Sequence, residues 1–171
     1  RFYNSVQLPK NTSFKSRTDN ICGFNIAGPK SRKILQRLSN QDLSNGNWPF
    51  MRSGYISIAG VSCLALRISF TGDLGWEIYC EENKQQIVYE ALIQEAVIEK
   101  GGPVGSRALM SLRIEKGYGS WGREYSPEVW PHECGLDRLC NLNKEFLNKA
   151  NFLKNLKNNP RERLVLIHLN E

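Results

Sequence analysis

Histidine and methionine are scarce in this 171-residue sequence, with two of each. No apolar run approaches the roughly 18 residues of a membrane span. The first residues offer neither an initiator methionine nor the apolar stretch of a signal peptide. There is no GxSxG elbow, Walker loop, HExxH helix or CxxC pair, and the glycine turn at 71–75 is not GxGxxG. The common signatures of serine hydrolases, P-loop enzymes, zincins and dinucleotide binders are therefore missing. Five scattered cysteines, an odd number, argue for reduced thiols in a reducing compartment, cytoplasmic or like the mitochondrial matrix, rather than for a disulfide scaffold. His132 lies two residues before Cys134, but two soft ligands without a second pair make a weak metal site, so none is expected.

What is present describes a globular protein. With 40% hydrophobic and 23% charged residues, the composition excludes disorder and collagen and leaves room for a core. The length suits one full domain, or one domain plus part of another. The formal charge of +6 invites a nucleic-acid reading, but its distribution argues against one. Residues 1–37 carry net +7 and 141–171 net +3, around a central stretch of net −4. No compact cluster of Lys and Arg interleaved with stacking aromatics is readable, so the basic flanks read as solvated charge.

The first twenty residues are polar and aperiodic, an arm or a remnant of a preceding lobe. From there the pattern predicts a strand over Ile21–Ile26, a Gly28-Pro29 turn, and a helix from Ser31 to Leu38. Trp48-Pro49 and its neighbours make 41–51 a loop. Tyr55–Ile58 and Val61–Phe70 read as a hairpin, and Trp76–Cys80 as a further strand. An amphipathic helix capped by Asn83 follows, with Ile87, Val88, Ala91, Leu92 and Ile98 at helical spacing. A second helix over about 104–116 buries Ala108, Leu109 and Leu112, which leaves Arg107 on its opposite side. Residues 118–137 read as ordered loop, Phe146–Leu156 as helix, and Leu164–Leu169 as strand. This order predicts an α+β fold of ferredoxin-like type, an antiparallel sheet with helices on one face, ending in the first strand of a following β-domain.

Two segments carry chemistry. In Phe70-Thr71-Gly72-Asp73-Leu74-Gly75-Trp76-Glu77, a carboxylate sits in a half-buried strand after a glycine turn. Such a group needs a donor, and physical chemistry alone favours a structural arginine over a ligand edge with two adjacent N–H groups. The segment Gly105 to Tyr118 puts Arg107, Arg113 and Glu115 on one helix, either as exposed or intrahelically paired charges or with Arg107 facing a site. Trp121, Tyr118 and Trp130 could stack on a flat ring or simply pack the loops.

The order of these segments resembles the glycine-cleavage T-protein family of folate-binding aminomethyltransferases, and especially the folate domain fused to dimethylglycine and sarcosine dehydrogenases. The matching residues are Cys22–Pro29, Asp42-Leu43-Ser44, Thr71–Glu77, Arg107–Gly117, Trp121-Gly122, Pro131–Leu136 and Arg163-Leu164-Val165. The likeness spans about residues 20–169. It implies a tetrahydrofolate site in a one-carbon transfer enzyme, with Glu77 bonding the pterin, Arg107 helping to hold that ring system, and Phe70 and Trp121 lining it. It also implies FAD only in a separate domain of the parent, and a flavin-dependent dehydrogenase domain as partner. A non-catalytic regulatory or scaffold module, like the related regulatory subunit of pyruvate dehydrogenase phosphatase, is the alternative.

Three departures stand out. The family aspartate that assists the folate chemistry has no counterpart in residues 1–20, so no catalytic residue is assigned. Phe70 replaces a tyrosine, and Asn148 replaces a glycine. The implied division is an arm over 1–19, a partial folate-binding domain over 20–160 and the opening of a β-domain over 161–171. A chain that begins at Arg1 and stops just after an apolar run is expected to be cut from something longer. As an isolated piece it should fold, yet bind folate weakly or not at all.

Overall fold

The structure, a computed structural model, describes residues 10–169. They fall into two compact units that divide between Ser106 and Arg107. Residues 1–9 of the expected arm lie outside the described residues, and residues 10–20 form turns without strand or helix.

In the first unit, β1 (Ile21–Ala27), β2 (Ser53–Ile58), β3 (Val61–Leu66) and β4 (Gly75–Glu81) form one antiparallel sheet in the order β1-β4-β3-β2. Helix α1 (Ser31–Leu38) follows β1, and α2 (Gln85–Ile98) follows β4. The α+β class, the antiparallel sheet and the one-sided helices are as the sequence implies. The connectivity is β-α-β-β-β-α, a meander of β2, β3 and β4 closed by β1.

Alternation along the strands sorts the faces. Ile56, Ile58, Cys63, Ala65, Trp76, Ile78 and Cys80 point to the helix side and are buried with Leu35 of α1 and Val88 and Leu92 of α2. Trp48, from the loop after α1, packs on Trp76 with ring centroids 5.5 Å apart. Gly23, Asn25, Glu77, Tyr79, Leu64, Leu66 and Tyr55 occupy the opposite, more open face.

Two local expectations are corrected. Asn83 does not cap α2: it lies inside a 3-10 turn, Glu82–Lys84, and the residue before the helix, Lys84, makes no side-chain cap bond. The strand expected to reach Phe70 stops at Leu66, where Ile68 N–H turns back to Leu66 O and Gly75 packs against the Ile68 carbonyl.

The second unit holds α3 (Ser106–Glu115) and α4 (Lys149–Leu156), with short 3-10 turns at Pro131–Glu133 and Asp137–Leu139. Phe152 of α4 is buried among Trp130, His132 and Phe146. The expected strand Leu164–Leu169 is not formed among the described residues: a strand needs a ladder, and the segment's recorded backbone bond is Leu164 N–H to Glu133 O.

Candidate functional site

The loop 67–74 is built to deliver β4. Gly72 takes φ +80°, a conformation that side chains resist. A Cβ on Gly75 would lie 2.9 Å from the Ile68 carbonyl oxygen, so only glycine lets the loop close on the start of the strand. Thr71 is buried. The Leu74 carbonyl accepts from Gly28 N–H at 2.9 Å and from the Ser31 hydroxyl at 3.0 Å, which ties the loop to the start of α1. Gly72 and Gly75 of the motif thus set backbone, and Glu77 follows at a fixed register.

Glu77 sits on the open face of the sheet, opposite Asn25 on β1 and Leu66 on β3. Its Oε2 accepts a hydrogen bond from the Tyr79 hydroxyl at 2.5 Å. That bond to the carboxylate, ahead of burial, pushes the Tyr79 phenol up to about 12, so it remains a donor throughout the physiological range. No arginine or lysine pairs with Glu77 among the described residues, where its side-chain partner is the Tyr79 phenol. The carboxylate keeps acceptor capacity for further N–H donors.

Phe70 lies half-buried in the loop before β4. Arg107 and Trp121 belong to the second unit. Arg107 is exposed in the first turn of α3, and its side chain makes no hydrogen bond or ion pair among the described residues. Trp121 bridges to Tyr125 through its backbone and leaves its side chain largely in solvent, the residue being 77% exposed. Glu77 and Phe70 are placed in one unit, Arg107 and Trp121 in the other.

The helix carrying Arg107 departs from its expected stripe. Ala108 is exposed, Leu109 and Leu112 are half-buried, and the buried residue is Arg113. Its Nη1 donates to Glu124 Oε2 at 2.8 Å and to Tyr118 O at 2.9 Å. Ser120 N–H donates to the same Glu124 oxygen at 2.9 Å. That backbone bond first, with the guanidinium beside it, lowers the Glu124 pKa below the usual carboxylate range. The helix ends in a Schellman turn, Tyr118 N–H to Arg113 O and Gly117 N–H to Ile114 O, with Gly117 at φ +70°.

Pro131-His132-Glu133-Cys134 is an anchor. Glu133 is buried and accepts from Trp130 N–H, Arg161 N–H and the Arg161 guanidinium, and these donors, Arg161 foremost, hold its pKa down to about 2. His132 packs against Phe152, and the Cys134 thiol lies near the Trp130 and Pro131 carbonyls. Tyr79 and Glu133 escaped the sequence reading. The signal for Tyr79 was present, since residues two apart on a strand share a face. Nothing local marked the distant Arg161 as Glu133's partner.

Residues 3–144 match the GCVT N-terminal domain. The chain belongs to that family. It is 34% identical over 158 residues to mitochondrial dimethylglycine dehydrogenase of Homo sapiens, covering 91% of this chain and 18% of that protein. With mitochondrial sarcosine dehydrogenase of Mus musculus it shares 36% identity, covering 86% of this chain and 16% of the relative. An aminomethyltransferase of Caldanaerobacter subterraneus subsp. tengcongensis is 32% identical, over 86% of this chain and 40% of its own length. The chain therefore spans less than half of each of these relatives. Among the described residues no helix is long and apolar enough to cross a membrane.

Proposed function

We propose that this chain is the tetrahydrofolate-binding portion of a one-carbon transfer enzyme of the glycine-cleavage T-protein and dimethylglycine dehydrogenase type. The observation that carries the reading is Glu77: a carboxylate on an open sheet face, held by a neutral phenol and free of any paired cation among the described residues. A pterin presents adjacent N–H donors along one edge, and a carboxylate with unused lone pairs matches such an edge with two parallel bonds. The residues fit the group. Glu77 would hold the pterin edge, with Phe70 as an apolar contact from the same unit. In the second unit, taken by itself, Arg107, whose guanidinium has no partner among the described residues, and the exposed Trp121 ring are proposed as folate-binding residues on the family resemblance alone. When bound, tetrahydrofolate supplies a nucleophilic ring nitrogen that takes up the one-carbon unit. The chain's own task is to bind and orient that ring system.

The proposal extends to the surroundings. The dehydrogenases among the relatives support a partner flavin-dependent dehydrogenase domain holding FAD outside this chain, and their names, which read mitochondrial, favour a mitochondrial over a cytoplasmic reducing compartment. The folate-binding assignment covers 20–160, with a β-domain beginning at 161–171.

The test is Glu77→Gln in the full-length protein. Tetrahydrofolate affinity, measured by calorimetry, should fall about tenfold to a hundredfold, as expected for losing hydrogen bonds to a charged acceptor. Thermal stability should stay near wild type. A large loss of stability with unchanged affinity would make Glu77 a structural residue and overturn the reading.

A further inference from the structure

Tyr79 stands on β4 two residues beyond Glu77, on the same open face. Its cross-strand partner on β1 is Gly23. The bonds Gly28 N–H to Leu74 O and Glu82 N–H to Asn20 O bracket this strand pair, and alternation between them makes Gly23–Tyr79 a non-hydrogen-bonded pair. Facing side chains come closest at such pairs. A Cβ on Gly23 would lie 3.0 Å from Tyr79 Cε1 and 3.2 Å from Cδ1, so the ring lies across the space that a side chain on β1 would occupy. From that position the phenol reaches Glu77 Oε2 at 2.5 Å. Glycine in a strand interior weakens it by removing a packing side chain. Here it gives the tyrosine its place.

We propose that Gly23 and Tyr79 form a positioning pair that presets the Glu77 carboxylate for a ligand edge carrying two adjacent N–H donors, an inference that rests on the folate reading of Glu77. Tyr79 is not a catalytic residue. It occupies one lone pair of Oε2, fixes the rotamer of Glu77 and leaves the outer lone pairs of both oxygens in a defined plane. An unrestrained glutamate would have to lose that side-chain freedom on binding. The cross-strand neighbours of Glu77 are Asn25 and Leu66, and the side-chain hydrogen bond to its carboxylate comes from the Tyr79 phenol.

The experiment measures tetrahydrofolate binding by calorimetry at neutral pH for four full-length variants: Tyr79→Phe, Gly23→Ala, the two combined, and Glu77→Gln. Tyr79→Phe removes only a hydroxyl. It should weaken binding about fivefold to tenfold at pH 7. The loss should appear as a less favourable binding entropy, because a Glu77 side chain without its phenol donor is ordered only on binding. Gly23→Ala should weaken binding by a smaller factor, and the double variant should be no worse than Tyr79→Phe alone, because both act through one bond. If Glu77→Gln weakens binding but Tyr79→Phe changes neither affinity nor binding entropy, the positioning pair is overturned and the folate reading stands. Should neither variant weaken binding, the folate reading falls and the pair falls with it. A stability loss in Tyr79→Phe with unchanged binding entropy also counts against the pair, leaving the tyrosine a packing residue only.

Discussion

Glu77 and Arg113 show how far a residue's type can be separated from its role. Both are charged and both lie in segments that the sequence singles out. The glutamate, for which a structural arginine is the favoured partner, has a phenol as its partner among the described residues, while the arginine expected to be exposed or paired within its helix is buried at 2% exposure against Glu124. The reason is the same in each case: the partner lies outside the local pattern used to read the residue. Periodicity places a side chain on a face, but it does not say which loop folds over that face. For Arg113 the covering segment is 118–124, turned back by the Schellman motif at Gly117. Replacing Arg113 by Met should therefore cost about 1–3 kcal/mol, since it removes the buried member of a partly exposed pair and leaves Tyr118 O and Glu124 short of a donor. Urea unfolding followed by near-UV circular dichroism checks this, and a loss below about 1 kcal/mol would mean that the pair is merely ornamental to the loop.

At the scale of elements, legibility tracks locality. Helix α1 is legible to its end residues, Ser31 and Leu38, because Gly28-Pro29 and the spacing of Ile34, Leu35 and Leu38 are all local signals. Strand-like composition between turn residues places β1, β2 and β4, and alternation places β3, whose expected end at Phe70 runs past Leu66. Asn148 was legible in a different way: it stands where the family carries a glycine, and it adopts φ +68°, a left-handed conformation that asparagine tolerates better than most residues. The segment Leu164–Leu169 failed because strand propensity is satisfied only by a partner strand, which no local pattern supplies. Gly75 tests the claim that loop 67–74 is shaped by close approach. Gly75→Ala drives a Cβ toward a backbone carbonyl, which cannot rotate away, and should destabilise the sheet by about 1–3 kcal/mol. Gly46→Ala, at a position where a Cβ meets nothing within 4 Å, should change stability by less than about 0.5 kcal/mol. Equal effects of the two substitutions, measured by thermal unfolding, would remove the close-approach argument.

Across the whole molecule, charge does structural work in both units, which alters the meaning of the +6 total. In the first unit Glu99, just past α2, receives Lys33 at 2.7 Å, Arg37 at 2.7 Å and Lys30 at 3.4 Å from the segment that carries α1, and Arg37 also bonds Glu95. Part of the basic excess near the start of the chain is thus paired across two helices rather than offered to an outside partner. In the second unit Arg161, from the other basic flank, is spent on Glu133. These donors, Lys33 and Arg37 foremost on Glu99 and Arg161 on Glu133, hold both carboxyl groups at about 2, against an ordinary value of 4.5. A carboxyl group whose pKa is lower folded than unfolded stabilises the fold above its unfolded pKa, and that stability is lost as pH falls toward the folded value. Both units should consequently hold their stability near neutrality and lose it progressively from about pH 4.5 down to pH 2. Urea midpoints recorded at intervals across that range should fall with pH in the wild type. Substituting Glu99→Gln and Glu133→Gln together should lower the neutral midpoint and flatten the acid slope, because the groups that take up protons on unfolding are gone. A double variant with an unchanged slope would show that these two clusters are surface decoration, and that the basic flanks are again available for a partner.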